Sequence, residues 1–194
     1  LKLIFSGSSS LDLVKGKYDL SRRGVLYHLH GLSFREYLNI VTDQELPALS
    51  WDALLGQHQA LSAQYAEIPK LKAWFTKYLL HGYYPFVFEG EGSVVQKLNA
   101  IIDKAIYQDI ASFYQLKTSS LAIFKKMMVF MASIPPGTLN VHHLSQDLRI
   151  DDKTVLQYLG MLTETGLLRS LYPHGKGGAL IRKPEKVYIN NTTL

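Results

Sequence analysis

The last third of the chain carries the hydrophobic pattern that most restricts its fold. Two helical segments follow one another there: "LNVHHLSQDLRI", capped by Asn140, and "DKTVLQYLGMLTETG", capped by Asp152 and ended by Gly166. An apolar segment "LLRSLYP", a glycine-rich loop "HGKGGA" and a second apolar segment "LIRKPEKVYI" come next. Three helices and a β-hairpin in this order predict a winged helix-turn-helix over residues 117–194.

Amphipathic helical segments continue upstream of this region as far as Ser33. We expect helices at about 34–41, 51–65, 69–81, 93–114 and 119–133, separated by "LPALS", "EIP", "GYYP", "EGEGS" and "IPPG". Ser33 and Glu36 have the spacing of a capping box, in which each side chain satisfies a backbone N–H of the other residue. The aromatic stretch "GYYPFVF" suggests either a base-stacking surface or a packed corner between helices, and its position favours the corner.

Strand patterns are confined to the two ends of the chain. At the N-terminal end, residues 2–5 read as a short buried strand ended by Gly7, and residues 24–32 alternate apolar and polar side chains. A strand that begins almost at the first residue needs neighbours that this sequence does not supply. We therefore expect a mainly α chain that is a piece of a longer protein.

Composition excludes several classes of function. The 47% of apolar residues suffices for a packed core, and the net charge of +5 permits an anionic partner without requiring one. No apolar run reaches the roughly 18 residues of a membrane span, and no signal-peptide pattern is present. Without cysteine the chain has no disulfide and no thiolate nucleophile. We expect a cytoplasmic protein.

Polar clusters offer few conventional catalytic sites. The serines around Gly7 lack the lysine of a Walker A loop, so on the residues alone they indicate a strand end with a serine turn. His28 and His30 share a strand face without a third metal ligand, and His142 and His143 diverge on a helix. No G-x-S-x-G nucleophile elbow occurs. The sequence predicts no metal site.

A winged helix suggests contact with nucleic acid. The second helix of the motif exposes Lys153 and Gln157 but starts with acidic residues, so it is a poor DNA reader by itself. The hairpin is more basic. The predicted nucleic-acid-binding residues are Lys153, Gln157, Arg169, Lys176, Arg182 and Lys183. Because winged helices also dock proteins, both partners stay open.

The ordered set of motifs resembles a known family. The segments "SGSSS", "DLSRR", "GLSFREYL", "GYYP", "TVLQYLGML" and "KVYINN" run through essentially the whole chain. Together they resemble the middle part of bacterial and archaeal AAA-type P-loop ATPases that carry a C-terminal restriction-endonuclease-like domain. Two positions depart from the family pattern: Arg22 replaces a glycine, and Asn190 or Asn191 stands near the family's aspartate.

The resemblance implies specific roles for the N-terminal residues. Ser6 or Ser8 would be the polar sensor of the γ-phosphate, and Arg23 would be an arginine finger, with Arg22 as a further nucleotide-binding charge. ATP and Mg²⁺ would bind in the full-length parent, whose Walker A and Walker B motifs lie upstream of Leu1. The chain by itself is therefore expected to bind neither and not to hydrolyse ATP.

The resulting expectation is a three-part chain. Residues 1–31 would be a β remnant at the edge of an α/β ATPase core, residues 32–116 a helical lid, and residues 117–194 the winged helix. The parent would couple ATP hydrolysis to DNA or a protein partner, with no membrane involved and a homo-oligomer as one possible state. The alternative function is a stand-alone winged-helix transcription regulator that binds DNA.

Overall fold

The computed structural model describes Ile4, Ser6, Gly7, Val25 and residues 27–135, 137–175 and 184–194. This part of the chain is mainly helical, which confirms the predicted class. Its contacts divide it into an N-terminal unit, Tyr27–Val94 with Asn191–Thr193, and a C-terminal unit, which includes Val95–Asn190 and Leu194. The predicted boundaries at residues 31 and 116 stay predictions.

Helices make up the N-terminal unit. They are α1 (Phe34–Thr42), α2 (Trp51–Ala66) and α3 (Leu71–Lys77), which continues as a π-helical turn (Tyr78–Gly82) and is followed by 3-10 turns at Pro85–Glu89 and Glu91–Ser93. The predicted capping box is confirmed. The Glu36 backbone N–H donates to Ser33 Oγ (3.3 Å), and the Ser33 backbone N–H donates to the Glu36 carboxylate (2.8 Å).

Aromatic rings hold this unit together. We call Phe34, Tyr37, Phe75, Tyr78 and Phe88 the aromatic corner; its ring centroids are 5.0 Å apart for Phe34–Phe75 and 5.6 Å apart for Tyr37–Tyr78. Edge-to-face and tilted pairs of this kind stabilise beyond the area that they bury. Tyr37 of "GLSFREYL" and Phe88 of "GYYPFVF" therefore meet in one cluster, with ring centroids 5.8 Å apart, as the prediction of a packed corner between helices requires.

Backbone hydrogen bonds fasten the two motifs to each other. The Leu32 N–H donates to the Tyr83 carbonyl (2.8 Å), and the Tyr78 hydroxyl donates to the Leu32 carbonyl (2.8 Å). A Cβ atom on Gly31 would lie only 2.4 Å from the Tyr83 ring. Because Gly31 has no side chain, the backbone next to Leu32 can approach the backbone of Tyr83 this closely.

The C-terminal unit contains the remaining elements. They are α4 (Val94–Lys104) with a π-helical turn (Ala105–Ile110), α5 (Ala111–Tyr114), α6 (Thr118–Ser133), β1 (Gly137–Thr138), α7 (Val141–Leu148), α8 (Asp152–Glu164), β2 (Leu168–Leu171) and β3 (Lys186–Ile189). The strands form an antiparallel sheet in the order β1-β3-β2.

One apolar core joins these helices to the sheet. Phe124 of α6 is fully buried and stacks on Tyr158 of α8 at a centroid distance of 4.3 Å. Leu144, Leu162 and Val187 bring α7, α8 and β3 into the same cluster. The helix ends follow their caps: the Asn140 side chain accepts from the His143 N–H (3.1 Å), and Gly166, with φ of +77°, follows α8.

Two expectations differ from the structure. Residues 27–32, the described end of the predicted strand at 24–32, form no strand, because none of the described residues pairs with them in a ladder. The predicted strand at 2–5 lies outside the described residues except for Ile4. The helices expected at 69–81 and 93–114 each contain a π-helical turn, since apolar spacing does not reveal a single extra residue within a turn.

Candidate functional site

Helix α8, the second helix of the predicted helix-turn-helix, presents two of the predicted binding residues together. Lys153 and Gln157 are both exposed, and their spacing of four residues places them on one face of the helix. On the opposite face, Val155 and Leu159 are buried in the core. The exposed face of α8 therefore offers one cation and one amide, and the exposed Glu164 adds a carboxylate at the C-terminal end of the same face.

Carboxylates surround the start of α8. Asp151, and not Asp152 as predicted, is the N-cap: its two carboxylate oxygens accept from the Thr154 N–H (2.8 Å) and the Thr154 hydroxyl (2.6 Å). These hydrogen bonds lower the pKa of Asp151 below its ordinary value, so the group is ionised at neutral pH. A negative charge thus occupies the N-terminal end of α8.

Asp152 links α8 to α7 instead of capping. Its Oδ1 atom lies 2.5 Å from the hydroxyl of the buried Ser145 and 3.3 Å from His142 Nδ1. The Ser145 hydroxyl is also 2.8 Å from the His142 carbonyl, so its single proton lies between two acceptors. The sequence did not predict this cluster. The two aspartates are adjacent, and a helix that starts one residue earlier or later changes which of them is the cap.

The outer face of the sheet carries further basic groups. Arg169 pairs with Tyr188 and Leu171 pairs with Lys186, and residues paired across antiparallel strands point to the same side. Arg169, Leu171 and Lys186 are exposed, whereas the alternate residues Leu168 and Val187 are buried. Arg169 is therefore exposed on this face of the sheet, and its role in nucleic-acid binding stays a prediction. Lys176, Arg182 and Lys183 lie outside the described residues.

The proposed nucleotide-binding residues are barely covered by the structure. Ser6 is exposed, and Ser8, Arg22 and Arg23 lie outside the described residues. The described chain therefore offers no set of donors against which ATP and Mg²⁺ can be fitted. Asn191, which stands near the family's aspartate, donates through its amide to the Tyr84 hydroxyl within the N-terminal unit (3.4 Å). Burial raises the pKa of Tyr84.

Histidines take separate partners where they are described. His142 faces Asp152 and His143 faces Asp147, each at 3.3 Å, as the predicted divergence of the pair requires. His28 and His30 are exposed, with their ring centroids 6.4 Å apart. Within the described ranges, no three His, Asp or Glu side chains gather closely enough to hold a metal ion. None of the described helices combines the length and the apolar character of a bilayer span.

Charge is distributed unevenly along the sequence. Residues 27–94 contain seven acidic residues and four Lys or Arg, whereas residues 95–194 contain seven acidic residues and twelve Lys or Arg. The net positive charge of residues 27–194 therefore comes from residues 95–194. Anionic partners are attracted to such a region at low ionic strength.

Comparison with known proteins places the chain in a family. The chain is 26% identical over 191 residues to the uncharacterized protein MJ1637 of Methanocaldococcus jannaschii, covering 95% of this chain and 40% of that protein. It thus spans about two fifths of the length of that relative. No solved structure matches the chain. Residues 72–194 match the family described as "Domain of unknown function (DUF8612)". Since this match covers more than half of the chain, the protein belongs to the DUF8612 domain family.

Proposed function

We propose that residues 117–194 form a winged helix-turn-helix that binds a partner. The observation that carries this proposal is the element order α6, β1, α7, α8, β2, β3 with sheet order β1-β3-β2. Helices α7 and α8 are joined by a short turn through Arg149, whose φ of 57° ends α7. Strands β2 and β3 are the arms of the wing.

The wider proposal is that the chain is the lid and coupling module of an AAA-type ATPase. Its support is the ordered motif set, together with the packing of "GLSFREYL" against "GYYP" in the N-terminal unit. In this proposal the parent protein binds ATP and Mg²⁺ upstream, Ser6 or Ser8 senses the γ-phosphate, and Arg23 completes the site. The winged helix transmits the ATPase cycle to its partner.

Duplex DNA is the partner that we propose first. Arg169 and Lys186 expose two positive charges on one face of the sheet, and Lys153 and Gln157 stand on the exposed face of α8. Lys176, Arg182 and Lys183 stand between β2 and β3 in the sequence and would add positive charge. Contacts of this type to phosphates supply affinity without sequence preference.

A protein partner is the second candidate, and one observation favours it. Asp151 is ionised at the start of α8, and Asp152 stands beside it, so phosphates would be repelled from the helix end that normally enters the major groove. A protein with a basic surface would meet these carboxylates favourably.

Fluorescence anisotropy with labelled duplex DNA at several salt concentrations distinguishes the two partners. For DNA we expect the double variant Arg169→Ala/Lys186→Ala to weaken binding about tenfold or more and to reduce the salt slope by about 2. The matched control Lys117→Ala/Lys126→Ala removes the same charge elsewhere in the C-terminal unit and should have a smaller effect. Equal losses in both double variants, or no binding at low salt, would count against DNA.

The ATPase proposal is tested on the full-length parent. A G-x-x-x-x-G-K-[ST] loop in the reading frame upstream of Leu1 and Mg²⁺-dependent ATP hydrolysis are expected. Arg23→Ala should lower kcat by about 10³-fold or more if the residue is an arginine finger, with a smaller loss for Arg22→Ala. A parent without the loop would overturn the ATPase and leave the stand-alone DNA-binding regulator as the better hypothesis.

A further inference from the structure

A groove beside α2 in the N-terminal unit plays no part in the function proposed above. Its walls include Leu46, Leu49, Leu61, Tyr65 and Ile68, its rim includes Glu67, and its volume is about 260 Å³. We call this surface the α2 groove. Several of its lining residues are exposed, so the groove is open to solvent along one side.

Hydrogen bonds from α1 fix one wall of the groove. The Leu46 N–H donates to Asn39 Oδ1 (2.9 Å), and the Leu46 carbonyl accepts from Arg35 Nη1 (3.2 Å) and Asn39 Nδ2 (3.5 Å). Two side chains of a capped helix thus hold the backbone of a single loop residue. A wall that is already ordered spares a ligand much of the cost of ordering it.

The size and shape of the α2 groove restrict its occupant. Pockets for drug-sized molecules usually enclose about 300–1,000 Å³ and bury most of their ligand. The α2 groove is smaller and open, which suits a few aliphatic side chains of a protein segment better than an enclosed small molecule. At the other end of α2, Trp51 and Leu55 are 79% and 74% exposed but do not line the groove.

Charge restricts the occupant further. Residues 37–69 include Asp43, Glu45, Asp52 and Glu67 and contain no Lys or Arg. Two cations flank this segment, Arg35, which donates to the Leu46 carbonyl, and Lys70, which follows Pro69. The four carboxylates outnumber them, so the surroundings of the groove keep a net negative charge. An occupant with positive charge is attracted to this rim, and an acidic one is repelled.

We propose that the α2 groove binds a short segment of a partner protein in which Lys or Arg stands next to aliphatic residues. The aliphatic side chains enter between Leu46, Leu61 and Ile68, and the cation lies against Glu67. This binding needs neither ATP nor the winged helix, so it stands or fails separately from the proposed function.

The test uses the whole chain and a fluorescein-labelled peptide, LRLLKL, in an anisotropy titration. We expect saturable binding that weakens with salt, because part of the affinity is electrostatic. Glu67→Lys should weaken it about tenfold or more, and Leu61→Ala should weaken it with little change in salt dependence. Glu185→Lys, the same charge reversal in the C-terminal unit, should leave it unchanged.

Control peptides and sedimentation complete the test. Peptide LELLEL, which keeps the leucines, and peptide ARAAKA, which keeps the charges, should each bind at least about tenfold more weakly than LRLLKL. Equal binding by either peptide, or equal effects of Glu67→Lys and Glu185→Lys, would overturn the proposal. Self-association of the wild-type chain that Leu61→Ala abolishes would assign the groove to a second copy and also overturn it.

Discussion

Gly82 lies at the end of the π-helical turn, where two tyrosine rings of the aromatic corner leave no space for a side chain. A Cβ atom at this position would be 2.5 Å from the Tyr78 ring and 3.0 Å from the Tyr37 ring. Tyr37 is buried, and the Tyr78 hydroxyl is bound to the Leu32 carbonyl, so neither ring moves away without losing contacts. The small residue is therefore part of the packing of the corner.

Gly82→Ala should destabilise the protein by about 1–3 kcal/mol, because added volume in a packed region forces side chains from their rotamers. The matched control is Gly160→Ala in α8, where a Cβ would meet no atom within 4 Å. There the same substitution should stabilise the helix by about 0.5–1 kcal/mol. Urea unfolding of both variants measures the difference. Equal changes in stability would show that the close contact of the tyrosine rings with Gly82 does not require glycine at this position.

Ser145 shows how a single hydroxyl connects two elements. It is 4% exposed, and it contacts both the Asp152 carboxylate of α8 and the His142 carbonyl of its own helix α7. Ser145→Ala should lower the free energy of unfolding by about 1–2 kcal/mol, because the hydrogen bond to a charged group is lost. Ser133→Ala removes an exposed hydroxyl that donates to the Phe130 carbonyl, and this variant should change the free energy of unfolding by less than about 0.5 kcal/mol. Thermal unfolding measures both variants. A larger loss of stability for Ser133→Ala than for Ser145→Ala would contradict the proposed connection between α7 and α8.

At the scale of elements, the capping box of α1 predicts a dependence on pH. Hydrogen bonds from Ser33, backbone first, lower the pKa of Glu36 below its ordinary value of 4.5. The stabilisation is therefore present above that value and is lost as the pH falls through the lower pKa of the folded state.

Between about pH 5 and pH 3, the wild-type protein should lose stability more steeply than Glu36→Gln, which keeps an acceptor but does not titrate. Glu45→Gln removes an exposed carboxylate of the neighbouring loop and should leave the slope as in the wild type. Melting temperatures measured across this range provide the test. If the melting temperatures of the wild type and of Glu36→Gln fall in parallel over this range, the capping box is not the cause of the loss of stability at low pH.

Helix positions were predictable because their signals are local. Ser33, Asn140 and Gly166 stand at the ends expected from capping chemistry, and α2, α6 and α8 follow from apolar spacing between breakers. The exposure of Lys153, Gln157 and Arg169 followed from the same periodicities. What could not be predicted depends on register or on distant contacts: the choice of Asp151 over Asp152 as cap, and the wall of the α2 groove held by Arg35 and Asn39.

At the scale of the whole molecule, each unit has its own buried cluster, and one of the two also has its own spectroscopic signal. Leu38 and the aromatic corner stabilise the N-terminal unit, which holds both tryptophans, Trp51 and Trp74. Phe124 lies in the core of the C-terminal unit. Tryptophan fluorescence therefore reports on one unit, whereas circular dichroism reports on the helices of both.

Phe124→Ala should remove about 3–5 kcal/mol of stability from the C-terminal unit, because it leaves a cavity in the core. We expect the unfolding midpoint seen by circular dichroism to fall, while the midpoint seen by tryptophan fluorescence stays near that of the wild type. Leu38→Ala should instead lower the fluorescence midpoint. A common midpoint for both probes in every variant would mean that the units unfold as one.

The π-helical turns at Tyr78–Gly82 and Ala105–Ile110 have a consequence for how the chain tolerates insertions and deletions. Such a turn holds one more residue than an α-helical turn, and each residue of an α-helix advances by about 100°. Because the π turn takes up its extra residue within a single turn, deleting one residue within Ala105–Ile110 would restore an ordinary α-helical turn and leave Phe113 and Tyr114 facing the core that they contact. A deletion in the ordinary α-helical turns of α4 would instead rotate the residues after it by about 100°. The π-helical turn is therefore the place in this helix where a related chain could lack one residue without compensating changes downstream.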